Sequence, residues 1–191
     1  PEEIPHINID IKFKHYQKLI QKREETLSQG FLVSEPDDYV PAVMRHQKKS
    51  LKVKLRLKGD LRSHWGGDKW SFRIHTKKKD HLFGMRRFSV QNPEERLYES
   101  AILFFEALRR EGVLTPRFFF VNLTVNGKKM GIMAIEEHFS KELLESQERR
   151  EGVILKFDES RIFDGSLDDL ATVKSTTDLF FASKIDVFRS S

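Results

Sequence analysis

Between Leu51 and Lys58 the chain reads LKVKLRLK, an alternation so strict that it admits one backbone conformation. Successive side chains of a β-strand point to opposite faces, so Leu51, Val53, Leu55 and Leu57 share one face and Lys52, Lys54, Arg56 and Lys58 the other. A helix would scatter both sets around its circumference. One face of this strand must therefore belong to a core, and the other is a row of cations.

The neighbouring residues extend the pattern. Tyr39 to His46 reads as a strand joined to the alternating one through the polar tip QKKS, which makes a hairpin. After the loop GDLRSHWGGDK, Trp70, Phe72 and Ile74 alternate with Ser71, Arg73 and His75, and RRFSVQ follows as a further short strand. If these strands pair, their basic rows share a face. The charge distribution agrees: residues 45–87 hold fifteen Lys/Arg against three Asp, formally +12, while the rest of the chain holds nineteen against twenty-six, formally −7. A net charge of +5 is thus concentrated on one surface, which suits an anionic partner.

Helices are expected where periodicity and capping agree. HINIDI alternates as a strand, after which Asp10 is placed to cap a helix carrying Phe13, Tyr16, Leu19 and Ile20 on one stripe and ending before Gly30. Asn92 as cap, Pro93 at the first helical position and Glu95 three residues beyond the cap predict a second helix that runs to Gly112, burying Leu97, Ala101, Phe104, Phe105 and Leu108. RFFFVNLTV and KKMGIMAIEEH flank Asn126-Gly127, a strong type I′ hairpin signal. A short helix from Ser140 to about Arg150, a strand GVILKF and a helix after Gly165 complete the reading, and the apolar residues close to the abrupt end suggest a truncated chain.

The expected fold is therefore α+β: a largely antiparallel sheet with one main packed helix, laid out like a kinase small lobe, with flanking helices. The 191 residues are expected to form a single domain, with 1–38 as an N-terminal strand and helix appendage. In a kinase layout an inner-strand cation contacts nucleotide phosphates and is held by a carboxylate on the packed helix. Arg73 and Glu99 suit those posts, with Glu95 as the alternative acid, and Arg56 and Lys58 lie on the same basic face. With no cysteine, there are no disulfides, thiolate metal ligands or cysteine nucleophiles. No Walker A, H-E-x-x-H or G-x-S-x-G pattern occurs, and no metal-ligand set is expected among these residues. The loop from Gly59 to Gly67 lacks G-x-G-x-x-G spacing. Neither a membrane-spanning run nor a leader-like start is seen. Nucleic acid ranks last as a partner despite a pI near 9.4, because no helix-turn-helix, zinc-finger or RNP-like motif is present.

Six ordered segments resemble the spore-coat protein H (CotH) family: VKLRLKGD, KWSFRIHT, HLFGMRRFSVQN, ESAILFFEALRREGVLTPR, VNGKKMGIMAIEEHFSKELL and EGVILKFD. The resemblance implies an atypical protein kinase that uses ATP with Mg or Mn to phosphorylate protein hydroxyls. It puts Arg73 where the family has a phosphate-contacting Lys, Glu99 at the helix acid, and Glu136 and Glu137 at a hinge-like connection facing adenine. The family's metal-binding, catalytic D-W-x-x-N-N region has no counterpart here and is expected downstream of Ser191, so this part alone is expected to be inactive. The resemblance also suggests a cell-envelope or extracytoplasmic setting. Since Arg and Lys are not interchangeable at a tight phosphate site, the competing reading is a non-catalytic pseudo-kinase or structural module that docks an anionic partner through its basic sheet face.

Overall fold

The computed structural model describes residues 3–77, 79–150, 152, 154–158 and 184–188. Seven strands form a closed barrel: β1 (His6–Asp10), β2 (Val40–His46), β3 (Lys49–Leu57), β4 (Phe72–Thr76), β5 (Arg87–Gln91), β6 (Phe118–Val125) and β7 (Lys128–Glu137), in the order β1-β2-β3-β4-β5-β7-β6. A separate antiparallel pair joins β8 (Ile154–Asp158) to β9 (Lys184–Phe188). The helices are α1 (Phe13–Gln29), α2 (Ser100–Arg110) and α3 (Lys141–Ser146). The helix expected after Gly165 lies outside the described residues.

This architecture overturns the expected kinase small-lobe layout of an antiparallel sheet with one main packed helix. The reason is β1. It pairs antiparallel with β2, Asn8 opposite Arg45, and parallel with β6, Ile7 opposite Leu123, so it occupies both edges of what would otherwise be an open sheet. Closure leaves no unpaired sheet edge. The strand of the 1–38 segment is thus a stave of the barrel.

Alternation then decides the contents. Ile7, Ile9, Met44, Leu55, Leu57, Phe72, Ile74, Phe88, Val90, Val121, Leu123, Met133 and Ile135 are all buried in one contiguous core. Trp65, from the β3–β4 loop, adds to that core with its indole N–H donating to the Gly59 carbonyl at 3.0 Å. The turn signal Asn126-Gly127 forms as expected, with φ of 48° and 81°. Further along β7 the register against β6 shifts between Leu123 and Thr124, where Gly131 at φ 76° makes the bulge that curves the sheet.

Helix expectations fare less well. The helix predicted from Asn92 starts instead as a 3-10 turn, Pro93–Arg96, with no side-chain cap from Asn92. Leu97 and Tyr98 both take positive φ, 53° and 55°, so the chain breaks there before α2 begins at Ser100. Of the predicted stripe only Ala101 is buried; Leu97 and Phe104 are 74% and 60% exposed. α1 ends at Gly30 in the left-handed conformation, as read, but Asp10 does not cap it and pairs with Arg45 instead. α1 lies beside the β3–β4 loop, where Arg23 donates to the carbonyls of Trp65 and Gly66 at 2.6 and 2.9 Å. Among the described residues, no helix is long and apolar enough to cross a membrane.

Two contacts dominate the barrel's fastening. Asn126, besides shaping the turn, accepts the Ile11 backbone N–H on its Oδ1 at 2.7 Å and donates its own N–H to the Ile9 carbonyl at 2.8 Å, latching β1 in place. Arg117 donates from Nε to Glu137 Oε2 at 2.7 Å and reaches the carbonyls of Phe83 and Gly84, while the Glu137 side chain is fully buried. Asn126→Gly keeps the turn but removes the acceptor for Ile11, and should lower unfolding free energy by about 1 kcal/mol. Arg117→Ala strands the Glu137 carboxylate and should cost about 3 kcal/mol. Urea denaturation followed by far-UV circular dichroism checks both.

Candidate functional site

The outward face of β3, β4, β5 and β7 carries the basic rows. Cross-strand register sets Arg56 opposite Arg73, Arg73 opposite Ser89 and Ser89 opposite Glu136, so these four form one line across the barrel wall. A second line runs Lys54, His75, Arg87. Lys58 follows β3, its backbone N–H bonded to the Ser71 carbonyl at 2.9 Å.

One hydrogen-bonded chain ties the far side together. The Lys58 ammonium donates to Gln91 Oε1, and Gln91 Nε2 donates to Glu136 Oε2 at 2.6 Å. Arg96, on the Pro93–Arg96 turn, closes on both Glu136 oxygens from Nε and Nη2 at 3.0 and 2.9 Å. Beside it His64 contacts Glu95 Oε2 through Nε2 at 3.2 Å and the Ser71 hydroxyl through Nδ1 at 3.2 Å. On the near side the Tyr39 ring lies 4.9 Å from Lys54 Nζ and 5.4 Å from the Arg56 guanidinium, and its hydroxyl meets His75 Nε2 at 3.1 Å. The Ser89 hydroxyl meets His138 Nε2 at 2.8 Å.

Charge on this face is one-sided. Burial lowers the Lys58 ammonium to about 8, opposed by Glu136 and reinforced by Arg96 and Arg73. Burial and then Arg56 push Arg73 down from the ordinary guanidinium range. Burial would raise Glu136, but the Arg96 hydrogen bond and Lys58 outweigh it and hold its carboxylate ionised. Burial with surrounding cations brings His64 and His75 to about 4 and takes His138 well below its usual value, so all three are neutral near pH 7. The buried Arg73 Nε has no hydrogen-bond acceptor among the described residues. An orphaned buried donor costs about 1–3 kcal/mol.

The cationic line adjoins an apolar hollow. Arg96 and Glu136 form one wall of an open cavity of about 520 Å³ lined further by Ala101, Phe104, Phe105, Pro116 and Phe139. A volume in that range accommodates a small organic ligand.

The residues singled out from sequence are distributed unevenly. Arg56 and Arg73 stand side by side, and Lys58 and Glu136 are joined through Gln91. Glu99 sits exposed at the N-cap of α2 and makes no ion pair with Arg73 among the described residues. Glu95 reaches His64 and Ser63. Gln91, Arg96, Ser89 and His138 went unread. Ser89 and Gln91 were legible in part, since they alternate with Phe88 and Val90 and so lie on the face of β5 opposite the core, with Arg73, although both are buried there. Arg96 had no sequence signal, because its position depends on the broken helix start. Among the described residues no group of three or more His, Asp or Glu is placed to hold a metal ion.

A family model described as CotH kinase protein matches residues 55–181, which is more than half of the chain. The chain belongs to the CotH family. No curated protein matches it. The matched region begins inside β3 of the CotH chain and takes in Lys58, Arg73, Gln91, Arg96 and Glu136, while β1, α1 and β2, which complete the barrel, precede it.

The depressed histidines fix a pH dependence. His64 and His75 bind protons near 4 in the fold but near 6.5 when unfolded, so between these values the unfolded chain takes up more protons and acidification destabilises the fold. Urea midpoints should fall as pH drops from 6.5 toward 4, and His75→Gln should flatten that slope. A pH-independent midpoint would contradict the burial of these rings.

Proposed function

We propose that this CotH chain provides the nucleotide-binding part of an ATP-dependent phosphotransferase that acts on protein hydroxyls. The observation that carries the reading is the pairing of Arg56 and Arg73 in a line that continues, past Arg96 and Glu136, into an aromatic-lined cavity. A ligand with a polyanionic end and a flat, weakly polar end matches such a surface, and a nucleoside triphosphate is that kind of ligand. The word kinase in the description of the matching family supports the same choice.

In this reading Arg73 contacts phosphate directly, with Arg56 beside it. Lys58 adds a second cation, positioned by Gln91 and Glu136. The pairing of cation and acid that the kinase layout assigned to Arg73 and Glu99 falls instead to Lys58 and Glu136, bridged by an amide. Neutral His64, His75 and His138 supply hydrogen-bonding groups without adding charge. The described residues do not offer a donor set for Mg or Mn, since the Glu136 oxygens are engaged by Arg96 and Gln91; metal ligands and the catalytic acid are assigned to residues outside those described.

Lys54 and Arg87 favour a second reading. They are exposed beyond the line that contacts phosphate, and they would equally suit non-catalytic docking of an acidic polypeptide. Calorimetric titration of ATP with Mg or Mn separates the two. Under the nucleotide reading the protein binds ATP, and Arg73→Ala, checked for native circular dichroism, weakens binding at least tenfold, about 1.4 kcal/mol. No binding of ATP to folded protein would sink the nucleotide reading and leave the docking one.

A further inference from the structure

Lys58 differs from every other lysine on the described surface in what surrounds it. It faces Arg73 from β4, Gln91 from β5, Glu136 from β7, Arg96 and Glu95 from the Pro93–Arg96 turn, and His64 from the β3–β4 loop. Its hydrogen bond goes to a neutral amide oxygen, and of the two carboxylates that face it Glu136 is closed on both oxygens by Arg96 while Glu95 is engaged by His64 and Ser63. By contrast Lys48, Lys49 and Lys77 are exposed to water on hairpin tips. The Lys58 amine is therefore held in place, poorly neutralised, beside a guanidinium with a buried unpartnered donor.

We propose that Lys58 is a site of acylation by acyl phosphates, small metabolites that carry a phosphate leaving group on a carboxyl carbon. The proposal rests on the anion-binding reading of this face: the phosphate of the donor binds at Arg73, which brings its carbonyl carbon to the neighbouring amine. The neutral amine attacks that carbon, a C–N bond forms, the C–O bond to phosphate breaks, inorganic phosphate departs and the amine's proton passes to solvent. Nothing is oxidised or reduced. The product amide carries no charge, so the modification would remove one of the cations beside Arg73 and weaken anion binding on the same face.

Reactivity at neutral pH supports the geometry. With its ammonium lowered to about 8, about a tenth of Lys58 is neutral at pH 7, against less than about a thousandth of an ordinary lysine. Lower basicity offsets part of that advantage, which leaves an expected rate at least about tenfold above that of exposed lysines.

The test treats the protein with acetyl phosphate at pH 7 and follows site occupancy by mass spectrometry. The expected result is Lys58 acetylation at least tenfold faster than at Lys48, Lys49 and Lys77, slowed several-fold by Arg73→Ala while the exposed sites keep their rates. An uncharged acetyl donor, p-nitrophenyl acetate, should depend on Arg73 less than acetyl phosphate does, because without a phosphate to bind it feels only the change in Lys58 protonation. Equal rates at Lys58 and the exposed lysines would overturn the proposal, and so would acetyl phosphate reactivity that ignores Arg73→Ala. Arg73-dependent acetylation in a protein that fails to bind ATP would instead sink the nucleotide reading and keep this one.

Discussion

The parallel seam between β1 and β6 is the constraint on which the rest of the molecule depends. His6 pairs with Asn122 and Ile9 with Val125, joining segments more than a hundred residues apart in sequence. Closing so large a loop is entropically expensive, and the return is that both sheet edges disappear at once. The latch is local chemistry: Asn126 is in the left-handed conformation because the hairpin requires it, and from there its side chain and backbone hold Ile11 and Ile9.

Closure determines what the outer wall can be. With the apolar rows of seven strands turned inward, the polar rows of β3, β4, β5 and β7 face outward, and the register aligns Arg56, Arg73, Ser89 and Glu136 across four strands. The Pro93–Arg96 turn then covers one flank of this wall with Arg96 and Glu95. That cover lowers the dielectric around Lys58 and Glu136 and so separates them from ordinary surface charges: the lysine loses affinity for its proton, and the carboxylate stays ionised because Arg96 clamps it. A solvated basic face would show neither effect.

Local elements were readable from sequence wherever one short-range rule dominated. The alternation of Leu51 to Lys58, the hairpin at Asn126-Gly127 and the stop at Gly30 all appear where their residues place them. The helix from Asn92 failed because capping rules consider only a helix and its ends. Arg96 was drawn instead to the Glu136 carboxylate on β7, and the chain turned through left-handed Leu97 and Tyr98 to deliver it, leaving Phe104 exposed. For the same reason Glu99 was a reasonable helix acid in sequence but an outward-facing cap in the fold.

What the sequence determined alone is which side chains share a face of each strand and that cations crowd residues 45–87, because strand alternation and charge are properties of neighbours along the chain. Tertiary structure decided which strands meet, that they close into a barrel, and that Lys58, Gln91, Glu136 and Arg96 form one network. Those outcomes depend on desolvation and on pairing across long sequence separations. A lysine at position 58 reads in sequence like any of the other cations in its row; only the groups folded around it make its amine distinct.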